Sequence, residues 1–93
     1  MYAVVRTYRA GAELADELIG NASDVKHVIS AIEGFKAYYL VRTAEGATSF
    51  SVYEDEAGAE ESSRAAASWI REHLPAIAGV SPQISGGEVV ISA

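Results

Sequence analysis

Between Glu33 and Trp69 the chain reads EGFKAYYLVRTAEGATSFSVYEDEAGAEESSRAAASW. Two short strands, a turn and the start of a helix fit in this stretch. GFKAYYLV poses a problem at once. Phe35, Ala37, Tyr39 and Val41 alternate with Lys36, Tyr38, Leu40 and Arg42. A half-buried strand is apolar on one side and polar on the other. Here Tyr38 and Leu40 make the second side apolar as well, so both faces of the strand need a covering.

Working outward, residues 35–43 form a strand. Ala44-Glu45-Gly46 supplies a tight turn, and residues 47–54, ATSFSVYE, pair back as a hairpin. Asp55 is placed to cap a helix, with Glu56, Glu60 and Glu61 near its positive end. Glu60 and Arg64 are four apart in the favourable order for an ion pair. Ser63, Ala67, Ile70 and Leu74 draw the expected apolar stripe, and Pro75 stops the helix near Leu74. Upstream, residues 2–9, YAVVRTYR, are rich in β-branched and aromatic types and read as a strand. Leu14, Leu18, Ala22, Val25, Ile29 and Ile32 recur at helical steps. Gly20-Asn21 could divide this run, with Ser23 as a second cap. Leu18 and Val25 stay in phase across it, which favours one helix, and Gly34 ends it. After Gly79, residues 83–92 make a last strand, in which Gly86-Gly87 suggests a bulge or bend.

The order is strand, helix, strand, strand, helix, strand. This is a ferredoxin-like α+β arrangement, βαββαβ, with two helices on one face of a four-stranded antiparallel sheet. The other face stays bare in a monomer. Whichever phase points to the helices, large side chains remain on the open side, each worth roughly 1.5–3 kcal/mol when fully buried. A patch of that size asks for a cover. A second copy across a two-fold axis supplies one.

Composition narrows the function classes. Ninety-three residues make one domain, 1–93, near the small end of stable monomers. The net charge of −6 argues against nucleic acid and against an anionic membrane surface. No run is long enough to span a membrane. The N-terminus does not read as a signal peptide. There is no cysteine, which removes disulfides, thiolate catalysis and zinc–thiolate sites. A cytoplasmic location is the expectation.

The whole pattern resembles the dimeric α/β-barrel superfamily, and within it the antibiotic-biosynthesis-monooxygenase-like domains. The resemblance rests on the element order, on Gly34-Phe35 opening the second strand, on the hairpin running to SVYED, and on AGAEESSRAAASW leading the second helix. Members often carry a proline before that Gly-Phe, where this chain has Glu33. The resemblance implies a homodimer through the open sheet face and a pocket between helices and sheet for a small apolar or aromatic molecule. No cofactor is expected, because Trp69 lies closer to His73 than in the haem-degrading relatives and their strand-one asparagine is absent. The superfamily includes cofactor-free oxygenases acting on phenolic or quinone-like compounds, haem-degrading enzymes, and members without an assigned role.

Chemistry of the oxygenase kind needs a dry pocket, aromatic walls and a few donors or a weak base for the developing anion. Trp69 and His73 are four apart on the last helix and share a side. They are the candidate catalytic pair, an aromatic wall and a proton acceptor. Tyr39 joins the pocket if its phase faces the helices. Thr7 is the fourth pocket candidate, near where the resemblance to haem-degrading relatives would put an asparagine. Each has an ordinary structural reading too: packing for Trp69 and the tyrosines, and a helix-end cation for His73. His27 reads as solvated. Two histidines and no cysteine give no metal-ligand spacing. Ser62-Ser63 lacks a histidine at a telling spacing and is no nucleophile signal. Three functions remain open: a ligand-binding module, a cofactor-independent monooxygenase, and a structural or regulatory dimer.

Overall fold

The structure is a computed structural model that describes residues 1–9, 11–75 and 81–93. The side chains of Ala12 and Leu14 are outside the description, so the place of Leu14 in the helical stripe and the role of Gly79 are outside it as well. Strand β1 (Tyr2–Tyr8) leads to helices α1 (Gly11–Gly20) and α2 (Ala22–Ser30). The hairpin β2 (Phe35–Thr43) and β3 (Gly46–Tyr53) follows, then α3 (Glu56–His73) and β4 (Gln83–Glu88). The sheet order is β2-β3-β1-β4, and every pairing is antiparallel. This is the ferredoxin-like α+β fold.

The first helical run is two helices rather than one. Asn21 is the break, with φ −111° and ψ 17°. Its amide still donates to the carbonyls of Glu17 and Leu18, and its own carbonyl accepts from Val25. The chain therefore pauses for one residue only, and Leu18 and Val25 both stay buried. At the start of α3, Asp55 Oδ1 accepts from the Gly58 amide at 3.0 Å, a helix cap. The buried stripe of α3 is Gly58, Ala59, Ser62 and Ala66, one residue ahead of the expected Ser63 and Ala67. Arg64 pairs with Glu61, not Glu60.

The doubly apolar strand has a physical explanation. Pairing of β2 with β3 shifts register between Phe35 and Ala37. That irregularity turns Phe35 to the same side as Tyr38 and Leu40, and all three pack on the buried core. Phe35 meets Tyr53 edge-on at 6.1 Å. Ala37, Tyr39 and Val41 take the opposite face. Gly34, at φ +84°, makes the turn into β2 in a conformation that favours glycine, and its carbonyl accepts from Glu54. The bulge expected at Gly86-Gly87 is absent: β4 pairs with β1 in unbroken register from Gln83 to Glu88. Gly86 serves another need, because a Cβ there would come within 3.0 Å of the Tyr2 ring. No helix among the described residues is long and apolar enough to cross a membrane.

Candidate functional site

Alternation along β1 sends Val4, Arg6 and Tyr8 toward the helices. From β3, Ser49, Ser51 and Tyr53 point the same way. Helices α2 and α3 close the space with Val25, Val28, Ile29, Ala66, Trp69 and Ile70. The result is a chamber between helices and sheet whose walls are mostly apolar. Its polar groups are Arg6, Tyr8, Tyr38 and Ser49. The free space is about 20 Å³, room for about one water.

Arg6 dominates the site and went unsuspected in the sequence. It is 2% exposed. Nη1 donates to Ser51 Oγ at 3.2 Å, and Nη2 donates to Ser62 Oγ at 2.8 Å and Ser63 Oγ at 2.9 Å. Both α3 hydroxyls donate onward to the Ala59 carbonyl, at 2.7 and 3.3 Å, which leaves their oxygens free to accept. The Ser62-Ser63 pair, featureless as a nucleophile, is thus a seat for a guanidinium. Nε is buried with no partner among the described residues. No carboxylate pairs with this side chain among them either, although Arg9, Lys36, Arg42 and Arg64 all form ion pairs at the surface. A guanidinium keeps its charge even when buried.

The phenols beside it are held in the neutral form. Burial pushes Tyr38 up to about 12; the Tyr8 and Tyr53 phenols add to this and Arg6 opposes it. Burial also raises Tyr8, again against Arg6. At neutral pH both are hydrogen-bond donors. The site therefore lines an apolar space with a fixed positive charge and two phenolic donors, an arrangement suited to an anionic oxygen on an apolar body.

The sequence candidates fall in different places. Trp69 lines the chamber, half-buried, and packs on both core clusters. His73 stacks on it at 4.9 Å with a 15° tilt, but its ring is exposed. His73 Nδ1 lies 3.1 Å from the Trp69 carbonyl, so the ring is tied to its own helix. Tyr39 does not enter the chamber. It is 65% exposed on the far side of the sheet, because the register shift puts Tyr38 inside. Thr7 is also on the far side, one step out of phase with Arg6 and Tyr8 and paired with Thr48 and Gln83. His27 is exposed. Among the described residues no three His, Asp or Glu side chains gather as a metal site. The signal that could have revealed Arg6 was its phase: it stands midway between Val4 and Tyr8 on the side that packs.

No protein-family model matches the chain, and no curated protein does. Solved structures do. A protein of unknown function from Nitrosomonas europaea, NE2512, superposes with a TM-score of 0.74 at 17% identity, over 99% of this chain and 91% of that one. SnoaB, a cofactor-independent oxygenase from Streptomyces nogalater, gives 0.66 at 14% identity, over 98% and 93%. The chain shares its ferredoxin-like α+β fold with these, with a putative monooxygenase from Shewanella loihica and with a putative antibiotic biosynthesis monooxygenase from Chloroflexus aurantiacus. A variant of MhuD, crystallised with two manganese protoporphyrin IX molecules per active site, shares the fold with a TM-score of 0.71 at 16% identity, over all of this chain and 98% of that one. At such identities the likeness is one of fold. Proteins with this fold thus include an oxygenase, a porphyrin binder and an unassigned protein, and the chemistry of each chain lies in its own side chains.

Proposed function

We propose that this chain, one domain over residues 1–93, is a homodimeric binding protein for a small apolar or aromatic molecule held between helices and sheet. The observation that carries the reading is the chamber itself: mostly apolar walls with a few polar groups among them. At about 20 Å³ it is nearly filled by its own side chains, so a ligand must displace some of them, Trp69 among them. Trp69 is the aromatic wall, and His73 stacked upon it fixes the indole. The dimer forms through the open sheet face, where Tyr39, Val41 and Phe50 are 65, 44 and 41% exposed. A cytoplasmic location belongs to this reading and is checked by cell fractionation. The test of binding is mass spectrometry of the gently purified protein under native conditions, followed by titration of the adduct against Trp69 fluorescence. An adduct that quenches Trp69 supports the reading. A protein that never retains or takes up a small molecule leaves a structural or regulatory dimer in its place.

Two neutral phenols and a fixed cation also favour a second reading, cofactor-independent oxygenation of a phenolic or quinone-like compound. The deprotonated substrate would supply the electrons to oxygen, and Arg6 with Tyr8 and Tyr38 would hold the anion. Oxygen uptake with candidate quinols tests it. Trp69→Phe and His73→Ala are then expected to lower turnover about tenfold, the size of one lost positioning contact. Unchanged rates would remove both residues from the mechanism.

A further inference from the structure

Arg6 borders a second space. On the side away from the chamber, a groove of about 180 Å³ runs between α3 and the start of β4. Arg6 and Tyr8 line it, with Ser63, Ile70 and Ile84, and with the exposed Arg71. Chamber and groove share Arg6, Tyr8, Ala66 and Ile70, so the guanidinium stands in the partition between them.

The charge at this point is unbalanced. The chain has 13 carboxylate residues against seven lysines and arginines. Four of the seven pair with carboxylates where water already screens them. The one that is 98% removed from water has only hydroxyl oxygens as partners and an Nε with none among the described residues. A buried charge is costly unless a counter-charge meets it. Arg71, which also lines the groove, forms no ion pair among the described residues, so the groove holds two cations in a net-negative protein.

We infer that the α3–β4 groove is a binding site for a small organic acid, whose anionic oxygens pair with Arg6 while its apolar body rests on Ile70 and Ile84. This deepens the ligand-binding reading, on which it rests, by naming the ligand class. The volume suits a molecule of about one ring, since an apolar cavity of about 150 Å³ takes up benzene. Arg71 draws the acid toward the groove, and Arg6 anchors it. Nε, with no partner among the described residues, is the donor left for a carboxylate oxygen, because Nη2 beside it already serves Ser62 and Ser63.

The test uses a matched pair of probes, benzoate and benzamide, which differ in charge and hardly in shape. The full chain is titrated with each while the Arg side-chain Nε–H resonances are followed by NMR. Benzoate is expected to move the Arg6 resonance saturably and to bind at least about tenfold tighter than benzamide, the usual weight of a charge-assisted bond. Arg6→Met is expected to erase that preference. Arg71→Ala is expected to weaken benzoate by about threefold and to flatten its salt dependence. The contrast in the unaltered protein stands even if a variant fails to fold. Equal binding of the two probes, or an Arg6 resonance that never moves with benzoate, overturns the inference. If a neutral adduct is nevertheless retained in the native spectrum, the binding-protein reading survives alone; if nothing is retained, both fall.

Discussion

Arg6 carries a charge that the fold shields from water on nearly every side. Three serine hydroxyls answer it, and none brings a negative charge. Removing a buried ion in favour of an apolar side chain of similar length is often neutral or stabilising, by up to about 1–4 kcal/mol. Arg6→Met is therefore expected to match or exceed the wild-type midpoint in urea, even as anion binding is lost. A drop of more than about 3 kcal/mol would mean the serine bonds outweigh desolvation. Tyr38 gives a second expectation, in pH. Its folded pKa of about 12 lies above the ordinary 10.0, so folding favours the protonated phenol. That contribution is complete below pH 10 and is lost as pH rises from about 10 to about 12, where the unfolded chain releases its proton first. Alkaline urea melts should show this loss, and Tyr38→Phe should reduce it. An undiminished loss in the variant would assign it elsewhere, with Tyr8 the first suspect. Neither residue was legible as a site. An arginine in a strand reads as a solvent-facing residue, and only its phase with Val4 and Tyr8 marks it as inward. Trp69 was expected at the flank of the helix stripe and does line the chamber, where it also packs on both core clusters.

The elements were mostly readable because their punctuation is chemical. Asp55 caps α3, Gly34 turns into β2, and the Ala44–Glu45 turn joins Thr43 to Gly46. The misplacements occur where neighbouring residues are alike. In α3 the run Ser62-Ser63-Arg64-Ala65-Ala66-Ala67 offers two stripes of the same chemistry one residue apart, so sequence cannot choose the buried one. The β2 irregularity has no glycine or proline to announce it, and it decides the side of every residue after it. Tyr39 was assigned to the chamber conditionally, on its phase, and this feature sends it to the other face. The glycines make the element-scale prediction. Gly20 sits at the end of α1 with open space where a Cβ would go, so Gly20→Ala should stabilise by about 0.5–1 kcal/mol in thermal or urea melts. Gly87 faces open space as well, whereas Gly86 lies against Tyr2 and the Ala3 carbonyl. Gly86→Ala should thus be the costlier of the two strand substitutions. A reversed order would show that the Tyr2 ring moves aside freely.

At the scale of the molecule, the sheet has one face covered by helices and one bare. The bare face carries Ala3, Val5 and Thr7 from β1, Ala37, Tyr39 and Val41 from β2, and Thr48, Phe50 and Val52 from β3. Tyr39, Phe50 and Val5 stand in one row across three strands, an apolar band with no helix above it among the described residues. The doubly apolar pattern in GFKAYYLV was the sequence's evidence for such a band, and the fold adds which side chains form it. Sheet-to-sheet pairing of two copies would bury the band on both, and Tyr39→Asp with Phe50→Asp should leave a folded monomer, because two carboxylates per copy would then face each other in a dry interface. Native mass spectrometry of the gently purified protein tests the whole reading most directly. The expected spectrum is a dimer of the 9.8 kDa chain with a small acid retained. A monomer without added mass at every concentration tried would contradict both the paired sheets and the anion held by Arg6.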